Sequence, residues 1–297
     1  MKAVIIAGGK GIRLEEFTKE KNKALLEIYD KSLLEYNLDR ANEIGVKEII
    51  LVLCYKYEEI IKKIGKEYNG TTVTYVIEKK GKGIVGAIEN AREAIGKSDF
   101  ILMLGDEVMI NTDMKGMLKK FKREDLFAIC GVVSEKDKSS IKRTYSVMIN
   151  KEGRVFRLIE KPRFPINNLK GTGYCIFKNE ILDYISKTPI NAYRNQKELV
   201  DMIQCAVDDG KDVRIHKIAD QYTNVNTYED LNVAKEMIKS SKPKVLIIHN
   251  QMKYYGGGEL LIVELANELT KRGIKNDILA LSSSKEVENQ LLNTEVI

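Results

Sequence analysis

The chain opens with MKAVIIAGGKGIRL, residues 1–14, and this stretch decides how the rest is interpreted. Its apolar run at 3–7 is too short for a helix and ends at glycine, which is typical of a buried parallel strand. Gly8, Gly9 and Gly11 allow a tight turn that brings backbone N–H groups close to a ligand. A lysine and an arginine add positive charge to the same turn. The combination favours a polyphosphate ligand.

Two well-known phosphate-binding turns do not fit these residues. A P-loop needs glycine, four residues and then Gly-Lys-Ser/Thr, and no glycine of the turn has that spacing. A dinucleotide fingerprint lacks its third glycine, because Gly9–Gly11 is followed by Ile-Arg-Leu. The second strand, at 49–53, runs into Cys-Tyr-Lys rather than into a ribose-binding acid. The sequence therefore argues against a nicotinamide dehydrogenase.

Composition indicates a globular protein. The 297 residues are 43% hydrophobic and 31% charged, and they suffice for one large α/β domain or two smaller ones. No apolar run could span a bilayer, and no secretory pattern precedes the first strand. Four widely spaced cysteines predict reduced thiols in a cytoplasmic protein. The net charge of +6 is modest and is spread along the chain, so anionic small molecules explain it as well as nucleic acid does.

Strands and helices alternate through the first hundred residues. We predict strands at 48–53, 72–77 and 100–104, with helices at 30–44, 58–64 and 85–95. Further strands are predicted at 126–133, 145–149 and 155–159, the last two joined by a turn at 150–153. The pattern predicts an α/β fold with a Rossmann-like, mixed but mainly parallel sheet and helices on both faces. Ligands of such sheets lie beyond the carboxyl ends of the strands, here after residues 7, 53, 77 and 104.

The opening turn resembles the Gly-Gly-x-Gly-Thr-Arg-Leu loop of sugar-phosphate nucleotidyltransferases, with Ile12 in place of threonine. The family's downstream Pro-Lys-x-Leu is matched by Asn22-Lys23-Ala24-Leu25, in which the lysine is retained and the proline is not. Further matches occur in order along the chain, so the resemblance covers residues 1–240. It implies the fold of nucleotide-diphospho-sugar transferases.

The resemblance also implies nucleotide and metal ligands. In the loop 78–87, Glu78 would accept a hydrogen bond from a base N–H and Gly83 would pack on the base. Asp106 follows the strand at 100–104 and matches the family's Mg²⁺-binding aspartate. The family's second metal aspartate is replaced, and either Asn224 or Asn226 would supply an amide oxygen instead.

Later matches imply a sugar site. Glu160 and Lys161 stand in a Glu-Lys-Pro that resembles the family's, so the first would bond a sugar hydroxyl and the second the sugar phosphate. Gly173 matches the glycine of a family segment that lines the sugar pocket. Glu198 opens a Glu-x-x-Asp whose two acids would share one helix face.

By this resemblance the chain is an enzyme that gives an NDP-sugar and pyrophosphate from a nucleoside triphosphate and a sugar 1-phosphate. The amides of Gly9 and Gly11, with Arg13 and Lys23, would hold the departing pyrophosphate, and Gly8 would bind the nucleotide in the same loop. Lys161 would aim the attacking phosphate, and the resemblance implies no nucleic-acid partner. Thymidylyl or uridylyl transfer to glucose 1-phosphate is the first hypothesis. Guanylyl transfer to a mannose or heptose phosphate is the second. A catalytically silent nucleotide-sugar-binding module is the third, and the oligomeric state, a homo-oligomer included, stays open.

A polar linker at 239–243 precedes a second pattern. We predict a strand at 245–249, a glycine-rich loop at 251–258, a helix at 259–271 and a strand at 277–281. This resembles the opening βαβ unit of a two-Rossmann-domain (GT-B) glycosyltransferase. The predicted domains are therefore 1–240, a nucleotidyltransferase, and 241–297, a short βαβ segment that is part of a fusion or a remnant docked on the main domain.

Overall fold

A computed structural model describes residues 1–14, 21–79, 81–253 and 256–297. Three residues of predicted loops lie outside the described residues. These are Lys80 of the loop 78–87, in which Glu78 is predicted to bind a base, and Tyr254 and Tyr255 of the glycine-rich loop 251–258.

The strands belong to one large sheet and to several small ladders. In chain order they are β1 (Lys2–Ile6), β2 (Glu27–Ile28), β3 (Lys31–Ser32), β4 (Glu48–Leu53), β5 (Glu67–Tyr68), β6 (Thr71–Ile77), β7 (Phe100–Leu104), β8 (Glu107–Ile110), β9 (Ala128–Ser134), β10 (Tyr145–Ile149), β11 (Val155–Glu160), β12 (Leu169–Phe177), β13 (Ile190–Asn191), β14 (Gln196–Lys197), β15 (Val213–Lys217), β16 (Gln221–Asn224), β17 (Val245–Ile248), β18 (Asn276–Leu279) and β19 (Glu295–Val296).

The α-helices are mostly short. In chain order they are α1 (Leu33–Glu43), α2 (Tyr57–Ile64), α3 (Gly83–Asn90), α4 (Arg92–Ile95), α5 (Met114–Arg123), α6 (Lys138–Ile141), α7 (Tyr184–Lys187), α8 (Leu199–Asp208), α9 (Tyr228–Ser241), α10 (Gly257–Lys271) and α11 (Lys285–Glu288). Single turns of 3₁₀ helix cover Ile12–Leu14 and Lys23–Leu25, and a longer one covers Asn179–Asp183. None of the helices in the described ranges has both the length and the apolar character needed to cross a membrane.

The large sheet has ten strands, and its centre is parallel in the order β7-β1-β4-β6. Antiparallel strands extend it through β12, which pairs with β7, β9 and β10. Successive residues of β1 join different cores, as expected of a strand that is buried on both faces. Ile5 packs with Leu34 of α1 on one face, and Val4 packs with Val85 of α3 on the other. The predicted mixed sheet with helices on both faces is confirmed.

Two predicted helices differ from those observed. The helix predicted from residue 30 begins at Leu33, because Lys31–Ser32 pairs with Glu27–Ile28 in a hairpin whose turn residue Tyr29 has φ +59°. The helix predicted over 85–95 is two helices that meet at Ala91. A local period of 3.6 residues indicates helix on both sides of such a break, but it does not locate the break.

Contacts divide the chain into two compact units. One is Met1–Leu26 with Leu33–Tyr228, and the other is Glu27–Ser32 with Glu229–Ile297. The second unit contains the predicted βαβ pattern, with α10 between β17 and β18. A third strand, β19, pairs with β18 and makes a three-stranded parallel sheet, which the sequence analysis did not predict.

Candidate active site

A lysine, an aspartate and an asparagine from distant parts of the chain meet beyond the carboxyl end of β7. The Nζ of Lys23 lies 2.6 Å from Oδ2 of Asp106 and 2.9 Å from Oδ1 of Asn226. The side chain of Lys23 is only 8% exposed, whereas that of Asp106 is 26% exposed. Burial strengthens charge-assisted hydrogen bonds of this kind. The structure thus unites a predicted phosphate-binding lysine with the predicted metal site.

The pairing of β8 with β16 explains how Asn226 reaches Asp106. The two strands are antiparallel, Glu107 stands opposite Asn224, and the N–H of Val225 donates to the carbonyl of Asp106 at 2.9 Å. This register places both asparagines beside the turn that carries Asp106. The side-chain amide of Asn226 donates to Oδ1 of Asn224. Asn226 therefore contacts the lysine, and Asn224 supports Asn226.

Asn22 occupies the position at which the resembled family has proline. It is fully buried, and both its side chain and its backbone N–H make hydrogen bonds. Its side chain accepts from the N–H of Ala24 at 2.8 Å and donates to the carbonyl of Tyr55. Its own N–H donates to Glu59 at 3.0 Å, a bond that proline could not make. Since φ is −63°, the backbone here keeps the conformation that proline would impose. The substitution thus preserves the turn that presents Lys23.

The oxygens beside Lys23 fit a magnesium ion that arrives with phosphates. Asp106 offers a carboxylate, and Asn224 and Asn226 offer amide oxygens, which are the hard ligands that Mg²⁺ takes. Over the described part of the chain, no three His, Cys, Asp or Glu side chains form a group that could hold a metal. Mg²⁺ commonly binds through one or two carboxylates together with water and substrate phosphates. The donor set is consistent with that mode and not with a closed protein cage.

Glu107, next to Asp106, is turned into the core and is 1% exposed. It accepts hydrogen bonds from the N–H of Gly173 at 2.9 Å and from the hydroxyl of Tyr222 at 2.7 Å. Burial raises its pKa to about 8, although these hydrogen bonds act in the opposite direction. A Cβ on Gly173 would lie 2.3 Å from Leu104, so this glycine is required for packing. Its predicted sugar contact stays a prediction.

The glycine-rich turn after β1 is partly exposed. Gly9 and Arg13 are exposed, and Arg13 lies in the 3₁₀ turn Ile12–Leu14. Gly11 has φ +64°, a conformation that favours glycine. A Cβ on Gly8 would lie 3.1 Å from Cβ of Cys54, so the end of β1 passes close to the residue that follows β4. The turn therefore needs glycine for both conformation and space.

Glu78 follows β6 and is 6% exposed. The side-chain amide of Asn90 donates to its Oε1 at 2.6 Å, and burial raises its pKa. Gly83, which begins α3, has φ +75°, and a Cβ there would lie 2.9 Å from Oε1 of Gln196. The roles predicted for Glu78 and Gly83 toward a base stay predictions. The structure adds Asn90 and Gln196 as their side-chain neighbours.

The predicted sugar-binding acids are joined by an arginine. Nη1 of Arg194 donates to Glu160 at 3.1 Å and to Glu198 at 2.9 Å. Burial raises the pKa of Glu160, although Arg194 and Lys161 lower it. Glu198 is the residue directly before α8 rather than within it, and its expected shared face with Asp201 stays a prediction. Glu160 and Glu198 nevertheless meet, through Arg194.

Lys161 has an exposed side chain whose Nζ lies 4.0 Å from Oε1 of Glu160. Its φ of +44° is unusual for a residue with a side chain, and its N–H donates to the carbonyl of Thr144 at 2.7 Å. Seven other described residues with a side chain share a positive φ, so this conformation does not by itself indicate a role. The predicted contact of Lys161 with the sugar phosphate stays a prediction.

Sequence reasoning missed Arg194, Gln196 and Asn90. Arg194 stands four residues before Glu198, a spacing that would have been informative only on a helix, and the chain is a hairpin there. Its second partner, Glu160, is 34 residues away. No local pattern signals such a contact, because it arises only from the packing of separate segments.

The family model described as "Nucleotidyl transferase" matches residues 2–241. UTP–glucose-1-phosphate uridylyltransferase AglF of Haloferax volcanii is 30% identical over 240 residues, which cover 80% of this chain and 97% of that protein. Glucose-1-phosphate thymidylyltransferase of Streptomyces griseus is 27% identical over 250 residues, covering 82% and 68% of the two chains.

A solved structure of UDP-glucose pyrophosphorylase complexed with UDP-glucose has the same fold. The TM-score is 0.73 at 20% identity, and the match covers 81% of this chain and 99% of that chain. At so low an identity the likeness concerns the fold alone. It agrees with the mixed sheet and with its parallel centre.

Proposed function

The chain belongs to the nucleotidyl transferase family, and from that premise we propose that it transfers a nucleoside monophosphate from a nucleoside triphosphate to a sugar 1-phosphate. The products are an NDP-sugar and pyrophosphate. Uridylyl or thymidylyl transfer to glucose 1-phosphate is the first reaction to consider, because the two relatives above are named for those activities.

The contact of Lys23 with Asp106 and Asn226 carries the proposal. In the reaction an oxygen of the sugar phosphate attacks the α-phosphorus, and the bond to pyrophosphate breaks. The protein needs no nucleophile of its own, so catalysis consists of positioning and charge neutralisation. The ammonium group of Lys23 can bind anionic phosphates, and the carboxylate of Asp106 and the amide oxygen of Asn226 can bind a cation. These three groups lie together in one small region, which suits that task.

We propose that Asp106 and Asn226 hold Mg²⁺, with Asn224 supporting Asn226. When bound, Mg²⁺ neutralises phosphate charge at the reacting centre. Lys23 and Arg13, with the backbone of the turn that contains Gly9, bind the departing pyrophosphate. Since Lys23 is held by Asp106 in this structure, it is already oriented at the carboxyl end of β7.

Lys161, Glu160 and Glu198 form the sugar end of the site in this proposal. The exposed ammonium of Lys161 binds the attacking phosphate, and the two carboxylates accept hydrogen bonds from sugar hydroxyls. Arg194 holds both carboxylates in place. Its planar guanidinium can bond two acids at once, which a lysine could do less well.

We also propose that 1–240 forms the enzyme and that 241–297 is an appended segment. The match of the family model to residues 2–241 supports the first part. Contacts of Tyr29 join the β2–β3 hairpin to the appended segment and to α9. Its ring lies against Gly273, and its hydroxyl donates to the carbonyl of Lys235 at 3.3 Å. A cytoplasmic location is part of the proposal, supported by four free cysteines.

The test is pyrophosphate release by the full chain with Mg²⁺, across the common nucleoside triphosphates and a panel of sugar 1-phosphates. We expect one pair to dominate, with a pyrimidine nucleotide and glucose 1-phosphate as the first candidates. Omission of Mg²⁺ with added chelator should remove the signal.

Two other outcomes have clear meanings. A dominant signal with GTP and a mannose or heptose phosphate would replace the first reaction by guanylyl transfer. Silence across the panel, combined with a nucleotide-induced rise in melting temperature, would contradict the enzyme and favour a nucleotide-sugar-binding module.

A further inference from the structure

One short hairpin contacts both the predicted base loop and the predicted sugar acids. It consists of β13 and β14, in which Asn191 stands opposite Gln196. The carbonyl of Asn191 closes the turn by accepting the N–H of Asn195 at 2.8 Å. Tyr193, at the tip, is 99% exposed. The hairpin thus has an exposed tip, while Arg194 and Gln196 reach the site.

Gln196 packs on the first residue of α3. The side-chain amide of Gln196 occupies the space that a side chain on Gly83 would need, with Oε1 2.9 Å from the position of a Cβ. Gly83 also has φ +75°, so glycine is required there for two independent reasons. The side chain of Gln196 therefore packs against the loop that contains Glu78 and Gly83.

The same amide group also contacts the sugar end. Nε2 of Gln196 donates to Oε1 of Glu198 at 3.2 Å. That oxygen also accepts from Arg194, which in turn donates to Glu160. Glu198 is 7% exposed, so its carboxylate depends on these donors. A continuous set of contacts therefore runs from Gly83 through Gln196 and Glu198 to Glu160.

We propose that Gln196 is a positioning residue that couples the nucleotide subsite to the sugar subsite. The inference rests on the proposed function, since it presupposes that the two ends bind the two substrates. A nucleotide base that packs against Gly83 restricts the side-chain conformation of Gln196. Through its hydrogen bond, Gln196 then holds the carboxylate of Glu198 in the position needed to bind the sugar. Because coupling is reciprocal, a bound sugar phosphate raises the affinity for the nucleotide by the same factor.

The test measures coupling directly by calorimetry, on the full chain with Mg²⁺. The probes are glucose 1-phosphate and α,β-methylene-UTP, whose α–β bridge cannot be cleaved. In the wild type we expect glucose 1-phosphate to bind at least about fivefold more tightly when the analogue is present, the lower end of usual coupling factors. In Gln196→Leu, which keeps bulk against Gly83 but loses the hydrogen bond to Glu198, we expect less than a twofold difference.

Controls separate coupling from folding. Tyr193→Ser changes the exposed tip of the same hairpin and should keep the wild-type coupling factor. Gln196→Met serves as a second uncharged replacement if the leucine variant has a lowered melting temperature. Gly83→Ala should weaken binding of the analogue, and Gln196→Ala in that background should restore part of it, because the obstructing amide is gone.

Coupling that persists in both Gln196→Leu and Gln196→Met would overturn the inference, as would its absence from the wild type. Pyrophosphate release by the wild type is scored separately. Release with coupling that does not depend on Gln196 would sink only the inference. Silence across the substrate panel would instead count against the proposed function.

Discussion

The parallel centre of the ten-stranded sheet and the parallel C-terminal sheet use similar strands but bury them differently. In β4, five consecutive residues from Ile49 are buried. In β17, partly buried and exposed residues alternate, so that Leu246 is 54% exposed and Ile248 is 73% exposed. Both strands are apolar runs in the sequence. The difference lies in coverage, because helices pack on both faces of the first sheet.

The two sheets also differ in the residues at the carboxyl ends of their strands. Glycines, Glu78 and Asp106 come after β1, β6 and β7, and Lys23 and Asn226 join Asp106. Beyond β17 the chain continues to a glycine-rich helix start, and beyond β18 to serines. We therefore expect the chemistry at the first sheet. Paired substitutions in the two sheets test it, in decreasing order of the change expected.

Asp106→Ala should reduce turnover by about a hundredfold to a thousandfold, because it removes the carboxylate proposed to hold Mg²⁺ and the charge partner of Lys23. The matched control is Asp277→Ala, which removes a carboxylate from β18 of the C-terminal sheet and should leave turnover unchanged. Initial rates of pyrophosphate release measure both. Near wild-type turnover in Asp106→Ala would remove this residue from its role.

Ile50→Ala should lower the free energy of unfolding by about 2–5 kcal/mol, since Ile50 is fully buried in β4. Ile248→Ala, at the exposed end of β17, should change it by less than about 0.5 kcal/mol. Urea unfolding followed by circular dichroism measures the pair. Similar losses in the two variants would mean that the exposed face of the C-terminal sheet is covered in solution.

Gly273→Ala should destabilise the C-terminal unit by about 1–2 kcal/mol, because Gly273 has φ +72°. A Cβ there would also lie 2.7 Å from the ring of Tyr29. Gly258→Ala, in the first turn of α10, is the control and should be neutral or slightly stabilising. Hydrogen exchange over 245–297 reports the change, while turnover should stay at the wild-type level. Unaltered exchange in Gly273→Ala would refute the Tyr29 contact.

Glu160→Gln should remove one contribution to the pH dependence of stability, the smallest of the effects expected here. Burial raises the pKa of Glu160 above its ordinary 4.5, so the folded state holds this proton more tightly than the unfolded chain does. The resulting stabilisation is complete below pH 4.5 and is lost as the pH rises through the folded pKa. The free energy of unfolding should therefore fall less steeply above pH 4.5 in Glu160→Gln.

Glu295→Gln, on the exposed edge of the C-terminal sheet, is the matched control for the loss of one negative charge. Urea midpoints measured from pH 4.5 to 7 supply the comparison. If the curves of Glu160→Gln and the wild type run parallel, Glu160 titrates alike in the folded and unfolded chains.

The sequence was most informative where one local rule decides the structure. Strands at 48–53, 100–104 and 145–149 have the predicted bounds, since apolar runs between polar residues fix them. The β2–β3 hairpin and β19 were missed, because two-residue strands leave almost no periodicity.

For the site, motifs identified Lys23 and Asp106, which the structure brings together. They left open which of Asn224 and Asn226 would bind a metal, and only the fold shows that Asn226 is the one in contact with Lys23. They did not identify Arg194 or Gln196. The contacts of Arg194 with Glu160 and of Gln196 with Gly83 join segments that are far apart in the chain. The burial of Glu107 and Gly173 was likewise decided by packing rather than by a local pattern.

The most direct test of the central claim is ³¹P nuclear magnetic resonance of the full chain with UTP, glucose 1-phosphate and Mg²⁺. We predict the growth of a sugar-linked diphosphate signal and of a pyrophosphate signal in equal amounts, as both substrates disappear. The same pair of signals should be absent with Asp106→Ala and present with Asp277→Ala. Unchanged substrate signals in the wild type, repeated with the other triphosphates and sugar 1-phosphates, would contradict the claim that this site transfers a nucleotide.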